Sequence, residues 1–255
     1  MRRAVCFANR DLGASVARDI LNLSGVDLKA VVVEDPDRRQ LDLDGIAEHV
    51  DVVPWSQALG YFLQDVEGGF DTGVCALFSQ RIPEEILARF ARGVMNLHPS
   101  LLPMGRGRYP ATWAIWEGEP YGASAHLMSK EFDAGPIMGQ IEIETHPWDT
   151  SHSLYQRGVD ALWDLYVTRV RSWIMGSAAE LRPQPAGGTM HTVQDFHDLQ
   201  MLARGALLSM EDHVRLMRAL SLGAGGGLRV PQGGVEVEVQ VALLPLGAPD
   251  ERVAR

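Results

Sequence analysis

The sequence predicts an α/β fold in which helices cover both faces of a mostly parallel sheet, followed by a small β-rich appendage at the C-terminal end. Three observations lead to it. From residue 2 to about residue 97, short apolar runs alternate with amphipathic segments, the pattern of successive βα units. Just after residue 180 the stretch RPQPAGG gathers the breaker residues of a linker. Beyond it, glycines at 223, 225–227, 233 and 234 punctuate an alternating run, VEVEVQVALLP, that reads as a strand with one polar face. Residues 1–180 are therefore expected to form the main unit and residues 187–255 the appendage. A chain of 255 residues accommodates both, since domains cluster at roughly 100–150 residues.

Taken in order, residues 3–8 read as a first strand and 14–23 as a helix with leucine and isoleucine at helical spacing. Residues 29–33 form a second strand, closed by the turn signal EDPD, and 50–53 a shorter third, followed by a helix over 56–65. Residues 72–77 are a strand and 83–92 a helix, with Pro83 suited to its first turn. Residues 94–97 then deliver NLHPSLLP to the carboxyl edge of the sheet, where open α/β sheets bind ligands. A helix over 110–117, strands over 122–128 and 136–144 around the segment FDAG, and a long helix over 152–175 complete the main unit. In the appendage, 213–220 is a short helix candidate and the last residues, APDERVAR, read as frayed.

The bulk numbers exclude several classes. A formal net charge of −10 argues against a partner held by phosphate neutralisation along a nucleic acid, although Arg106 and Arg108 could meet one small phosphorylated ligand. No run approaches the roughly 20 apolar residues of a membrane span, and the N-terminal apolar stretch is too short for a secretory signal. Cys6 and Cys75 each lie in a strand-like apolar run and read as core residues. A cytoplasmic protein is expected.

The chemistry is concentrated in NLHPSLLPMGRGRYP, residues 96–110. Asn96 and His98 are two apart in an extended segment, so their side chains leave the same face and can act on one substrate atom. Asp133 lies in a turn between two strands, from which a carboxylate can reach back to an imidazole. An amide donor, an imidazole and a carboxylate suit acyl transfer to a nitrogen nucleophile: Asn96 would stabilise negative charge on the acyl oxygen, His98 would take the amine's proton, and Asp133 would support His98. Each has a plain competitor. A strand-end Asn often caps a turn, Asp133 could simply shape the bend at FDAG, and His126 on an apolar strand reads as a core histidine in a supporting role. No cysteine or histidine cluster has metal-ligand spacing, and no Gly-rich nucleotide fingerprint follows the first strand.

The block of 45 residues from Asn96 to Gln140 closely resembles the folate-dependent formyltransferase superfamily, which includes glycinamide ribonucleotide and methionyl-tRNA formyltransferases. The shared pattern is Asn-x-His-Pro-Ser-Leu-Leu-Pro, an Arg-Gly followed by a proline and an apolar helix, a small-residue strand ending in histidine, and Asp-x-Gly. Weaker agreement extends over residues 78–92 and SHSLYQRG. The resemblance places Asn96, His98 and Asp133 at catalytic positions and implies a Rossmann-like domain that binds 10-formyltetrahydrofolate as formyl donor. Its pterin pocket would involve Phe78, Ser79, Gln80, Arg81 and Ile82, together with Met128, Lys130, Phe132 and Asp133. Ser100, Arg106, Gly107, Arg108 and Tyr109 would face the acceptor. Many members carry an aromatic residue before the Arg-Gly, where this chain has Gly105.

The acceptor is read from the remainder. The tail GTMHTVQDFHDLQML with RLMRALSL resembles that of sugar N-formyltransferases, which act on nucleotide-linked amino-dideoxy sugars and often dimerise. The expectation is a homodimer that formylates such a sugar. Alternatives are a formyltransferase for another small amine, such as hydroxyornithine or an antibiotic precursor, a 10-formyltetrahydrofolate hydrolase, and a non-catalytic folate-binding module, which an intact triad disfavours.

Overall fold

In the computed structural model, residues 1–35, 41–64, 69–205, 207–223, 227–232 and 234–245 are described. The chain opens with β1 (Arg2–Ala8), α1 (Arg10–Leu21), β2 (Val26–Val33), β3 (Asp51–Pro54), α2 (Trp55–Leu63), β4 (Thr72–Ala76), α3 (Glu84–Leu87) and β5 (Val94–His98). These five strands run parallel. β6 (Arg106–Gly107), α4 (Pro110–Trp116), β7 (Tyr121–Leu127) and β8 (Ile137–Ile143) follow, and β7 is antiparallel to both β5 and β8. The sheet order is β3-β2-β1-β4-β5-β7-β8. The order reverses at β1, so the crevice outside the carboxyl ends of β1 and β4 is the switch point where such sheets bind ligands.

Burial on both faces follows from the strand period of two. Along β1, Ala4, Cys6 and Ala8 pack into one apolar cluster with α1 residues such as Val16 and Ile20, while Val5 and Phe7 pack into another with Ala58 and Phe62 of α2 and Ile86 of α3. Cys6 and Cys75 are buried free thiols within these layers. Helix α1 crosses β1 closely because Gly13 has no side chain; a Cβ there would stand 2.8 Å from the Ala8 backbone. The chain then forms α5 (Ser151–Leu165), a π-helical turn (Tyr166–Val170) and α6 (Arg171–Ile174), which together occupy the long helix expected over 152–175. Thr150 opens it with a reciprocal cap to Ser153.

The last part holds β9 (Met190–His191), α7 (Val193–Gly205), α8 (Met210–Ala219), β10 (Leu228–Gln232) and β11 (Val235–Val239). The small antiparallel pair β10–β11 is the strand element the alternating run announces, although it stops at Val239 rather than continuing to Pro245. Two helices precede it, and α7 has no counterpart among the expected elements. Phe196, Leu199, Leu216 and Leu228 close over Trp113 of α4, so this part shares an apolar cluster with the main unit. Strand β9 pairs in parallel with β6, tying residues 190–191 to residues 106–107. Among the described residues no helix is long and apolar enough to cross a membrane.

Candidate active site

Strand β5 ends on Asn96 and His98, both buried at the carboxyl edge of the sheet. The antiparallel register sets Asn96 opposite His126 of β7, and their side chains meet on one face, with Asn96 Nδ2 3.0 Å from His126 Nε2. His126 Nδ1 lies 3.2 Å from the Leu127 carbonyl, which can only accept, so Nδ1 carries a proton, and Nε2 receives the Asn96 amide when it is bare. The same logic fixes His98. Its Nε2 lies 3.0 Å from the Gly105 carbonyl and must donate to it, which leaves Nδ1 facing Asp133 Oδ2 at 3.8 Å.

Asp133 sits in the turn between β7 and β8 with φ +48. Its Oδ2 accepts the Gly107 N–H at 2.9 Å and its Oδ1 accepts Asn96 Nδ2 at 3.2 Å, with His126 Nε2 3.4 Å away. Burial on its own would raise the Asp133 pKa, but the His98 ring, His126 and the Gly107 N–H outweigh it and hold the carboxyl well below the usual aspartate range. The site thus combines an ionised carboxylate, an imidazole whose Nδ1 faces it at ion-pair distance, and an amide donor that hydrogen-bonds it.

These three residues line a cleft of about 1200 Å³ at the switch point of the sheet. Phe78, Ser79, Gln80, Arg81 and Ile82, with Met128, Lys130 and Phe132, also line it, and the Arg81 guanidinium lies 5.1 Å from the Phe132 ring centre. Gly107, Arg108 and Tyr109 line it as well. Ser100 and Arg106 do not. Ser100 is buried in the turn after β5, its carbonyl accepting from Ser124 Oγ, and the Arg106 guanidinium is turned to Gln184 Oε1 at 2.7 Å. All four non-glycine residues with left-handed φ among those described, Arg10, Leu77, Tyr109 and Asp133, line this cleft, so the uncommon backbone geometry is gathered there.

Several contributors are not evident from local sequence pattern. Glu34, in the segment EDPD, is buried at the end of β2 and accepts the Ser79 N–H at 2.5 Å, the Ser79 hydroxyl at 2.7 Å and Asn9 Nδ2 at 3.1 Å. It anchors the cleft-lining segment at Ser79 to the α1 N-cap. A carboxylate directly after a buried strand, at the ligand-bearing edge, is the signal that could have found it. His191 stacks on Trp113 with ring centres 3.9 Å apart and itself lines the cleft, while Phe196 stacks at 4.0 Å on Tyr109, which lines it. The fold also brings Glu117, Glu119 and His191 within 4.8 Å of one another by their ligand atoms, though distant in sequence. His191 Nε2 lies at ion-pair distance from Glu117, 3.3 Å, and Thr189 Oγ1 donates to Glu119 at 3.0 Å.

Residues 64–170 match the family model described as Formyl transferase, a stretch that contains Asn96, His98, His126 and Asp133. Among solved structures the chain is similar to a sugar N-formyltransferase from a Shewanella species, with a TM-score of 0.81 at 20% identity over 96% of this chain and 99% of that one. It is also similar to a 4-N formyltransferase from Francisella tularensis, with a TM-score of 0.80 at 17% identity and the same coverage. An N-formyltransferase from Helicobacter canadensis, in complex with folinic acid and dTDP-3-aminofucose, aligns over 87% of this chain and 81% of its own at a TM-score of 0.66 and 17% identity.

Proposed function

We propose that this chain transfers the formyl group of 10-formyltetrahydrofolate to the amine of a nucleotide-linked amino-dideoxy sugar. The observation that carries the reading is the convergence of Asn96 and His98 on Asp133, the first by a hydrogen bond and the second at ion-pair distance, on a cleft inside the matched stretch. The cleft fits the donor chemically: Phe78, Ile82, Met128 and Phe132 offer apolar surface to a flat heterocycle, and Ser79 and Lys130 add polar groups. The likeness to a sugar N-formyltransferase over 96% of the chain, and to an N-formyltransferase in complex with dTDP-3-aminofucose over 87% of it, supports the acceptor.

When bound, the donor supplies an electrophilic formyl carbon and a departing nitrogen. Asn96 stabilises the charge that builds on the formyl oxygen. Both hydrogens of its amide are engaged within the protein, and the one given to Asp133 at 3.2 Å is long for a charged acceptor and is the one to redirect to an incoming oxygen. His98, protonated on Nε2 by its bond to Gly105, receives the amine's proton on Nδ1. The imidazolium so formed faces the Asp133 carboxylate, whose low pKa keeps it charged. The proton then passes to the departing nitrogen.

The finer parts of the reading are these. Residues 1–180 form the catalytic unit, while residues 187–255 contribute acceptor contacts and the surface of a homodimer, for which the exposed Val235 and Val237 of β11 are the candidates. The protein works in the cytoplasm on a small molecule, and its acidic balance disfavours nucleic acid as partner.

Incubation with 10-formyltetrahydrofolate and a panel of nucleotide-linked amino sugars tests the reading. Tetrahydrofolate should appear in step with formylated sugar, and equal folate turnover with no amine present would replace the transferase with a hydrolase. A monomeric mass in solution at micromolar concentration would overturn the dimer.

A further inference from the structure

The catalytic groups depend on one short loop. The Gly105 carbonyl sets the ring orientation of His98 through Nε2, and the Gly107 N–H holds Asp133 Oδ2, so two backbone groups of residues 105–107 fix both members of the His98–Asp133 pair. That loop is in turn held from outside the matched stretch. Thr189 Oγ1 accepts the Gly105 N–H at 2.8 Å, the Thr189 carbonyl accepts the Arg106 N–H at 3.0 Å, and the His191 carbonyl accepts the Arg108 N–H at 2.8 Å. Gln184 joins the two sides of the site. Its Nε2 donates to the carbonyls of Asp133 and Gly135 at 2.6 and 2.8 Å, while its Oε1 accepts from Arg106. At Gly107, where φ is +83, a Cβ would run into the His191 carbonyl, so the strap lies directly on the loop.

We infer that residues 184–191 are a positioning strap for the catalytic pair, with Gln184 and Thr189 as its positioning residues. Neither side chain lines the cleft, so they act through Asp133 and through Gly105 to His98. Gln184 fits this role because a primary amide can satisfy two carbonyls and a guanidinium at once, which leaves the Asp133 turn and the Arg106 loop no independent freedom. Thr189 fits it because its hydroxyl accepts from Gly105 and donates to Glu119, which fixes the rotor.

The inference rests on the formyl-transfer reading in its activity arm alone, and a ring-tautomer measurement tests it separately. Thr189→Val and Gln184→Leu keep size while removing the polar contacts. Each should lower kcat by about tenfold or more, the scale of a displaced catalytic group, with KM for the formyl donor within about twofold. Thr189→Ser should restore most of the loss. In long-range ¹⁵N–¹H correlation spectra, His98 of the unaltered protein at a pH where the ring is neutral should show its proton on Nε2, and Thr189→Val should show a mixture of the two ring forms. A kcat that falls only in proportion to a loss of folded protein, with His98 unchanged, would reduce the strap to a structural tie and overturn the inference. Normal kcat in both variants would do the same. If the unaltered protein formylates no amine but the His98 ring still responds to Thr189→Val, the strap stands and the proposed reaction fails.

Discussion

Asn96 and His126 stand opposite each other on antiparallel strands, and the amide nitrogen of the first lies 3.0 Å from Nε2 of the second. The contact decides which end of the Asn96 amide faces Asp133, because Nε2 can accept only from the nitrogen end. His126→Leu removes that choice, and turnover should fall by roughly tenfold, less than for loss of Asn96 itself, since the donor remains but is no longer held in one orientation. Steady-state kinetics with saturating formyl donor would show it; turnover equal to that of Asn96→Ala would instead give His126 a direct role.

Asn96→Ala and His98→Ala should each cost on the order of a hundredfold or more in kcat, the scale of a lost oxyanion donor or general base, while folate binding survives. The losses should not add. The double variant should be only slightly worse than the poorer single one, because the two groups act on one reacting centre. Multiplying losses would mean two independent contributions.

Asp133→Asn keeps size and suits the left-handed φ of +48, which Asn tolerates, while it removes the charge facing His98. Turnover should fall by about a hundredfold with nearly unchanged folate affinity, the direction expected when a carboxylate supporting a protonated imidazole is lost. Near-normal turnover would leave Asp133 a turn residue only.

The same variant has a stability signature. The native Asp133 carboxyl titrates below its unfolded value, so its charged form stabilises the fold above the unfolded pKa of about 3.9, and that contribution is lost as pH falls from there through the native value. The difference in unfolding free energy between the unaltered protein and Asp133→Asn, measured in urea, should therefore shrink progressively as pH falls below about 5. A difference that stayed constant from about pH 5 down to about pH 2 would mean that the native carboxyl titrates as it does in the unfolded chain.

Glu34→Gln tests the cleft wall. A charged acceptor for the Ser79 N–H and hydroxyl becomes a neutral one, and charge-assisted hydrogen bonds exceed neutral ones by about 1–1.5 kcal/mol, close to tenfold in affinity. Tetrahydrofolate binding should weaken by about that factor, with kcat at saturating donor within about twofold. Calorimetry on the unaltered and variant proteins separates the two effects.

Much of this architecture is written in local pattern. The apolar runs of β1, β2, β4 and β5 announce buried parallel strands, and the spacing of Asn96 and His98 correctly puts both on one face. Element ends are less legible because tertiary contacts set them. The helix expected over 83–92 stops at Leu87, since Phe90 is drawn into a bridge with Phe70 and the following N–H groups of Ala91 and Arg92 bond to Phe70 and Asp71. Helix α1 starts four residues earlier than its apolar spacing suggests, because Asn9 caps it while also bonding Glu34. Among the described side chains of helix α7, Phe196 and Leu199 are buried, too thin a stripe to stand out within VQDFHDLQ. Arg106 reads as a cleft cation but finds Gln184, a partner 78 positions away that no local rule supplies.

The stretch RPQPAGG has the composition of a joint that can be cut, yet the bonds leaving it bear on the turn that carries Asp133. Gln184 within it holds the turn of Asp133, and the backbone of Gly107 has room only for the carbonyl of His191 lying against it. Anyone recombining chains of this fold, grafting one tail onto another core, would choose that stretch as the seam. A seam there would pair a catalytic loop from one parent with a strap from the other; a crossover after Thr192 moves α7, α8 and the β10–β11 hairpin as a cassette and keeps the loop with the strap it was fitted to.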